Sequence, residues 1–168
     1  MTGSGETSGR MASDASARFA GEIREAQPQD YARIAELSGQ LGYPSSAEEI
    51  AARLEGMKRS DDHAVFVADL DGEVTGWIGV HVCRMVEVEA RAEVSGLAVD
   101  ERFRSQRIGW RLLDRAERWA REKGCGGIGL RSNVIRDRAH AFYERHGYKH
   151  EKTQKAFRKD LWPPEVRK

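Results

Sequence analysis

Cysteine is nearly absent: Cys83 and Cys125 are the only two in 168 residues. They supply neither a disulfide framework nor a metal-ligand spacing. A reducing, cytoplasmic compartment is the expectation. Long apolar runs are missing too, and none approaches the ~20 residues needed to cross a membrane. The first ten residues, MTGSGETSGR, hold no apolar signal-peptide core. Charge of a single sign is also lacking. A net charge of +1 argues against a generic nucleic-acid binder, which would be distinctly basic. What is present is a high charged fraction, 33%, on a length that suits one domain with a core of its own.

Residues 1–20 are rich in Ser, Gly, Ala and Thr and read as a tail or leader. Residues 21–162 read as one domain, and 163–168 as a short C-terminal tail. Glu22 to Ala26 reads as a first strand. Pro28 suits a helix start, and Tyr31, Ile34, Leu37 and Leu41 follow at helical spacing. Gly42-Tyr43-Pro44 stops that helix. Ser45 or Ser46 caps the next, with Glu48 and Glu49 in its first turn.

The period then changes. His63 to Leu70 and Glu73 to Met85 read as strands joined by a tight Asp71-Gly72 turn. Ile78, Val80 and Val82 share one face of the second of these, and Trp77, Gly79, His81 and Cys83 the other. Ala90 to Val99 is a fourth strand. A helix over 108–123 puts Ile108, Leu112, Ala116, Trp119 and Ala120 on one face and stops at Gly124. A fifth strand is expected over 127–132, a helix over 136–146, and two last strands over 148–151 and 153–159. Antiparallel hairpins feeding one β-α-β crossover imply an α/β fold, with helices on both faces of a mixed, mostly antiparallel sheet.

Chemistry is concentrated in two segments. The first is Val94 to Leu113, VSGLAVDERFRSQRIGWRLL: a strand, a polar turn, then an amphipathic helix. Such a turn aims backbone N–H groups at one spot, where the helix dipole also favours negative charge. Arg102, Arg104, Arg107 and Arg111 surround it, which suits phosphate oxygens. The second is Ser132 to Tyr148, SNVIRDRAHAFYERHGY. Asn133 follows a strand, and the phenol of Tyr143 can donate a proton.

Taken in this order, the two segments resemble the acetyl-CoA-binding motifs of the GNAT superfamily of N-acetyltransferases. The family's Arg/Gln-x-x-Gly-x-Gly/Ala turn corresponds to Arg104-Ser105-Gln106-Arg107-Ile108-Gly109, after a strand ending Leu97-Ala98-Val99-Asp100. The later signature appears as Ala139, Phe142-Tyr143 and Gly147-Tyr148. Two departures stand out. Arg107 occupies the position of the first glycine, and Arg136 stands where many relatives carry Asn.

The resemblance implies acetyl transfer from acetyl-CoA, as cosubstrate, to an amine, by direct attack and without a metal. The N–H groups of Arg104, Ser105, Gln106, Arg107, Ile108 and Gly109 would hold the pyrophosphate, with Trp110 beside them. Leu97, Ala98 and Val99 would lie along the pantetheine next to a splayed fifth strand. Asn133, Ala139 and Tyr143 would line the same channel, with Tyr143 protonating the departing thiolate. A primary amine is mostly protonated at neutral pH, so the reaction needs a base. Glu93 is the first candidate, acting through a water. Glu87 and Glu89 are weaker, falling in a loop, and a lone His81 is more often structural.

Expected partners are a small-molecule or protein amine, with no nucleic acid and no membrane; a homodimer is left open. The carboxylates of Glu48, Glu49, Glu55, Asp61 and Asp62 offer attraction to a cationic acceptor. The substitution at Arg107 keeps a second class of function open: an acyl-CoA-binding sensor, or an inactive interaction module that keeps the fold.

Overall fold

The structure is a computed structural model that describes residues 19–161. The segments 1–18 and 162–168, which hold nearly all of the expected leader and tail, lie outside the described residues. The chain divides into two compact units, at Arg131/Ser132.

The first unit contains β1 (Glu22–Glu25), α1 (Tyr31–Gln40), α2 (Ala47–Met57), β2 (His63–Leu70), β3 (Glu73–Cys83), β4 (Arg91–Val99), α3 (Ile108–Glu122) and β5 (Ile128–Leu130). The strands form one sheet in the order β1-β2-β3-β4-β5. Neighbours among the first four are antiparallel, and β5 joins β4 in parallel. Parallel pairing needs a crossover, and α3 supplies it. The second unit contains α4 (Asp137–Arg145).

Side-chain alternation divides the sheet into two faces. On one, Tyr31, Ile34, Ala35 and Leu37 of α1 and Ile50 of α2 bury Val67, Val74 and Ala98, with Trp77 and Val65 packed alongside. On the other, α3 buries Ile108, Leu112, Leu113 and Ala116, each at most 1% exposed. Gly76 permits this close approach. A Cβ there would lie 2.8 Å from the Ala98 carbonyl oxygen and 3.1 Å from Leu112. The α2 start has the capping-box form: the Glu49 N–H donates to Ser46 Oγ, and the Ser46 N–H to Glu49 Oε2.

A buried carboxylate fixes the entry to α1. Arg24 of β1 donates to both oxygens of Asp30 at 2.7 and 3.0 Å, and also to Asp69 at 2.8 Å. Burial pushes the Asp30 carboxyl up, but the Arg24 hydrogen bond and the Gln27 N–H outweigh it and hold it below its ordinary value.

Three expectations about strands need correction. β3 ends at Cys83 rather than Met85, and β5 spans three residues rather than six. Residues 148–161 form no strand. Their composition explains this, because EKTQKAFRKD offers no alternating apolar face to bury, and Phe157 is 91% exposed. No described helix is long and apolar enough to cross a membrane.

Candidate functional site

A bulge in β4 organises the first unit's site. Gly79 of β3 pairs with Gly96, but its neighbour Val80 pairs with Val94, which leaves Ser95 as an extra residue on β4. The extra residue inverts side-chain alternation. Ala98 and Gly96 share the face of Trp77 and Gly79. Beyond the bulge that face passes to Glu93 and Arg91, while Val94 and Ala92 turn to the α3 side and are buried. Without the bulge, Glu93 would point at α3.

Glu93 stands directly opposite His81, and His81 opposite His63, so the three form a row across the sheet. The two imidazoles stack with centroids 5.7 Å apart. Glu93 is 14% exposed, and a single Arg131 nitrogen lies 3.3 Å from each of its carboxylate oxygens. Trp77 roofs the bulge, and a Cβ on Gly96 would meet its ring at 2.6 Å.

The same strand opens at its other edge. β5 pairs only with Ala92, Glu93 and Val94. From Ser95 through Leu97, Ala98 and Val99, that edge of β4 carries no β5 ladder. An exposed ladder edge is a template for an extended ligand bearing amides.

The strand-to-helix turn is set by Asp100. Its backbone N–H donates to the Thr75 carbonyl at 2.9 Å. Its side chain, 1% exposed, accepts from the Arg102 backbone N–H, from the Arg102 guanidinium and from Arg33 of α1. The Arg102 hydrogen bonds, with help from Arg33 and against burial, hold the Asp100 carboxyl far below the usual carboxylate range.

Two non-glycine residues of the turn take left-handed backbone angles, Ser105 at φ 68° and Arg107 at φ 64°. Arg107 immediately precedes Ile108 at the start of α3 and makes no side-chain cap. A left-handed residue followed by a right-handed one turns successive N–H groups into a concavity that suits an anion. The first-turn N–H groups of Ile108 and Gly109 have no partner among the described residues. Gly109, in contrast, needs no positive φ.

The four arginines expected around this turn do not act together. Arg102 is tied to Asp100 at 2.8 Å and Glu73 at 2.7 Å, and Arg111 lies over the Phe19 ring at 5.7 Å. The Arg104 and Arg107 side chains are exposed and make no hydrogen bond or ion pair among the described residues. These two fit a phosphate-bearing ligand. Gln106 is half-buried within the turn, and Trp110 is 38% exposed in the first turn of α3.

The second unit holds the remaining candidates. Asn133 uses its side-chain oxygen locally, accepting from the Ile135 N–H at 3.2 Å, while its carbonyl meets His140 Nε2 at 3.0 Å. Ala139 and Tyr143 lie half-buried on α4. Burial pushes the Tyr143 phenol up and the nearby Arg136 charge partly opposes it, so the hydroxyl stays protonated at neutral pH. The acidic residues expected to draw in a cationic acceptor are mostly engaged elsewhere. Glu49 pairs with Arg53, Glu55 with Lys58 and Asp62 with Arg84.

The acetyltransferase (GNAT) family model matches residues 26–148. The chain belongs to the GNAT family. It is an acyl-CoA-dependent acetyltransferase, and acetyl-CoA is the family's cosubstrate. The aminoalkylphosphonate N-acetyltransferase of Salmonella typhimurium is 35% identical over 135 residues, which cover 76% of this chain and 84% of that one. An aminoglycoside N-acetyltransferase solved in complex with CoA superposes with a TM-score of 0.75 at 19% identity, over 83% of this chain and 94% of that one. Glucosamine-6-phosphate N-acetyltransferase from Arabidopsis thaliana gives 0.71 at 23%, over 83% and 99%. At such identities these two structures speak for the fold alone. The GNAT fold was legible in the sequence. The bulge at Ser95, the Arg131–Glu93 pair and the His63–His81 stack were not. The one signal for the bulge was the facing glycines, Gly79 and Gly96.

Proposed function

We propose that the protein moves the acetyl group of acetyl-CoA directly to a primary amine in a ternary complex. The observation that carries this reading is the β4 bulge. It turns Glu93 onto the Trp77 face of the sheet and coincides with the point where the β5 ladder stops. One strand therefore offers a carboxylate for the amine and a free edge for an extended cosubstrate.

When bound, acetyl-CoA supplies an activated thioester carbonyl. The N–H groups of Ile108 and Gly109, with the guanidiniums of Arg104 and Arg107, hold its phosphates by charge-assisted hydrogen bonds. The edge from Leu97 to Val99 aligns its amide-bearing arm. By resemblance to the family motif, Asn133 and Ala139 are assigned to cosubstrate binding. Glu93, through a water, takes the proton that the attacking amine must lose. Tyr143, kept protonated by burial, gives a proton to the leaving sulfur.

Small aminoalkyl compounds are the first acceptors to test, following the Salmonella typhimurium relative. The sensor reading rested on the loss of glycine at position 107. Arg107 adopts the left-handed angles that a glycine would supply, which supports the enzyme reading. Initial rates measured while both substrates vary test the mechanism. Intersecting double-reciprocal lines are expected from a ternary complex, and parallel lines would indicate an acyl-enzyme instead.

A further inference from the structure

On the Trp77 face of the sheet, the row residues away from α1 are His63 of β2, His81 and Cys83 of β3, and Arg91 and Glu93 of β4. Glu93 is the only carboxylate among them. Arg131, just past β5, reaches back to it. One carboxylate thus faces two guanidiniums, and Arg91 has no ion pair among the described residues.

The Arg131–Glu93 pair is built to open. Its contacts run through one terminal nitrogen, at 3.3 Å to each oxygen, which is longer than a good charge-assisted bond of about 2.8 Å. The Arg131 side chain is 79% exposed. Its other guanidinium nitrogens make no hydrogen bond among the described residues. A fork-shaped cation with a free edge can take a planar or tetrahedral anion in two parallel bonds.

We infer that the acceptor is a small zwitterion, an amine carrying a carboxylate or phosphonate, which exchanges with the Arg131–Glu93 ion pair. This rests on the acetyl-transfer reading, with Glu93 as the group that meets the amine. The ammonium end takes the place of Arg131 beside Glu93, with the bridging water between them, and the anionic end takes the place of Glu93 at Arg131, with Arg91 adding positive charge. The exchange leaves no charge unpaired. An amine with a neutral tail would detach Arg131 from Glu93 and return nothing to it. A diamine would bring a second cation to a face already rich in them. Unpaired or like charges at a recognition site cost affinity and so create selectivity.

The test compares 2-aminoethylphosphonate, β-alanine, ethanolamine and ethylenediamine as acceptors for the full chain at saturating acetyl-CoA. Rates are expressed per total acceptor concentration, because the ammonium form is the one that meets Glu93. The wild type is expected to favour one or both anion-tailed amines over ethanolamine by tenfold or more in kcat/KM, with ethylenediamine last. The two anionic acceptors report which anion the site takes. Arg131→Ala is expected to collapse that ratio, mainly through a higher KM for the zwitterions. Arg131→Lys should restore part of it, and Arg131→Glu should shift preference toward ethylenediamine. Ratios within one variant cancel any loss of overall activity. A wild type that prefers ethanolamine or ethylenediamine, or a ratio that survives Arg131→Ala, overturns the zwitterion assignment and leaves acetyl transfer standing. Absence of transfer to all four amines overturns the zwitterion assignment, and transfer found only with other amine acceptors would leave the acetyl-transfer reading standing.

Discussion

Asp100 accepts hydrogen bonds from both the backbone N–H of Arg102, at 2.9 Å, and its guanidinium, at 2.8 Å. The pair bends the chain back on itself just after β4 and fixes where the turn into α3 begins. Arg33 of α1 reaches the same buried carboxylate, so one side chain ties the turn to a helix on the opposite face of the sheet.

Asp100→Asn should therefore destabilise the fold by about 2 kcal/mol, the scale for losing hydrogen bonds to a charged group. The sign of the pH dependence follows from the depressed carboxyl. Its contribution is fully present above the ordinary carboxylate pKa of about 3.9 and is lost as pH falls through the lower folded-state value. Chemical denaturation at pH 7 and at pH 3 checks this: the gap between wild type and Asp100→Asn should narrow at the acid end.

Arg107 holds φ at 64° without glycine's freedom. A left-handed residue with a Cβ costs about 1–2 kcal/mol, and glycine returns about 0.5–1 kcal/mol of that through chain entropy. Arg107→Gly is therefore expected to stabilise the ligand-free protein by up to about 1 kcal/mol, a rise of about 3 °C in Tm by calorimetry. The same change removes an exposed guanidinium beside the cradle. CoA affinity should fall at low salt and depend less steeply on salt, because fewer cations then meet the phosphates.

The proposed proton donor and the proposed phosphate cradle are separable. Tyr143→Phe keeps the ring and removes only the hydroxyl. Turnover should drop on the order of 10²-fold, typical of a lost general acid, while the CoA dissociation constant measured by titration calorimetry stays within about twofold. Wild-type turnover in Tyr143→Phe would take the acid role away from this residue.

Local pattern carried most of the fold into the sequence. The 3.6-residue spacing of Ile108, Leu112, Ala116 and Trp119 marks the buried face of α3, and period two marks the α3-facing side of β3. Three features stayed hidden because they are not periodic or not local. Strict alternation along β4 would group Gly96 and Ala98 with Val94 and aim Glu93 at α3; one extra residue at Ser95 reverses this. The Arg33–Asp100 pair joins residues 67 apart, and Arg131–Glu93 joins residues 38 apart. No window of sequence shows such pairs. The strands expected after α4 fail for the opposite reason: short runs near Tyr148 and Phe157 mimic a strand but have no apolar face to bury.

Glu93 is the point on which the account turns, and the rate of CoA thiol release as a function of pH tests it most directly. With acetyl-CoA and an amine acceptor, the wild type should release one thiol per amine acetylated. Glu93→Gln should be slower on the order of 10²-fold at neutral pH and should recover as pH rises and free amine accumulates. Equal rates for wild type and Glu93→Gln at pH 7, or thiol release that does not depend on the amine, would contradict the account.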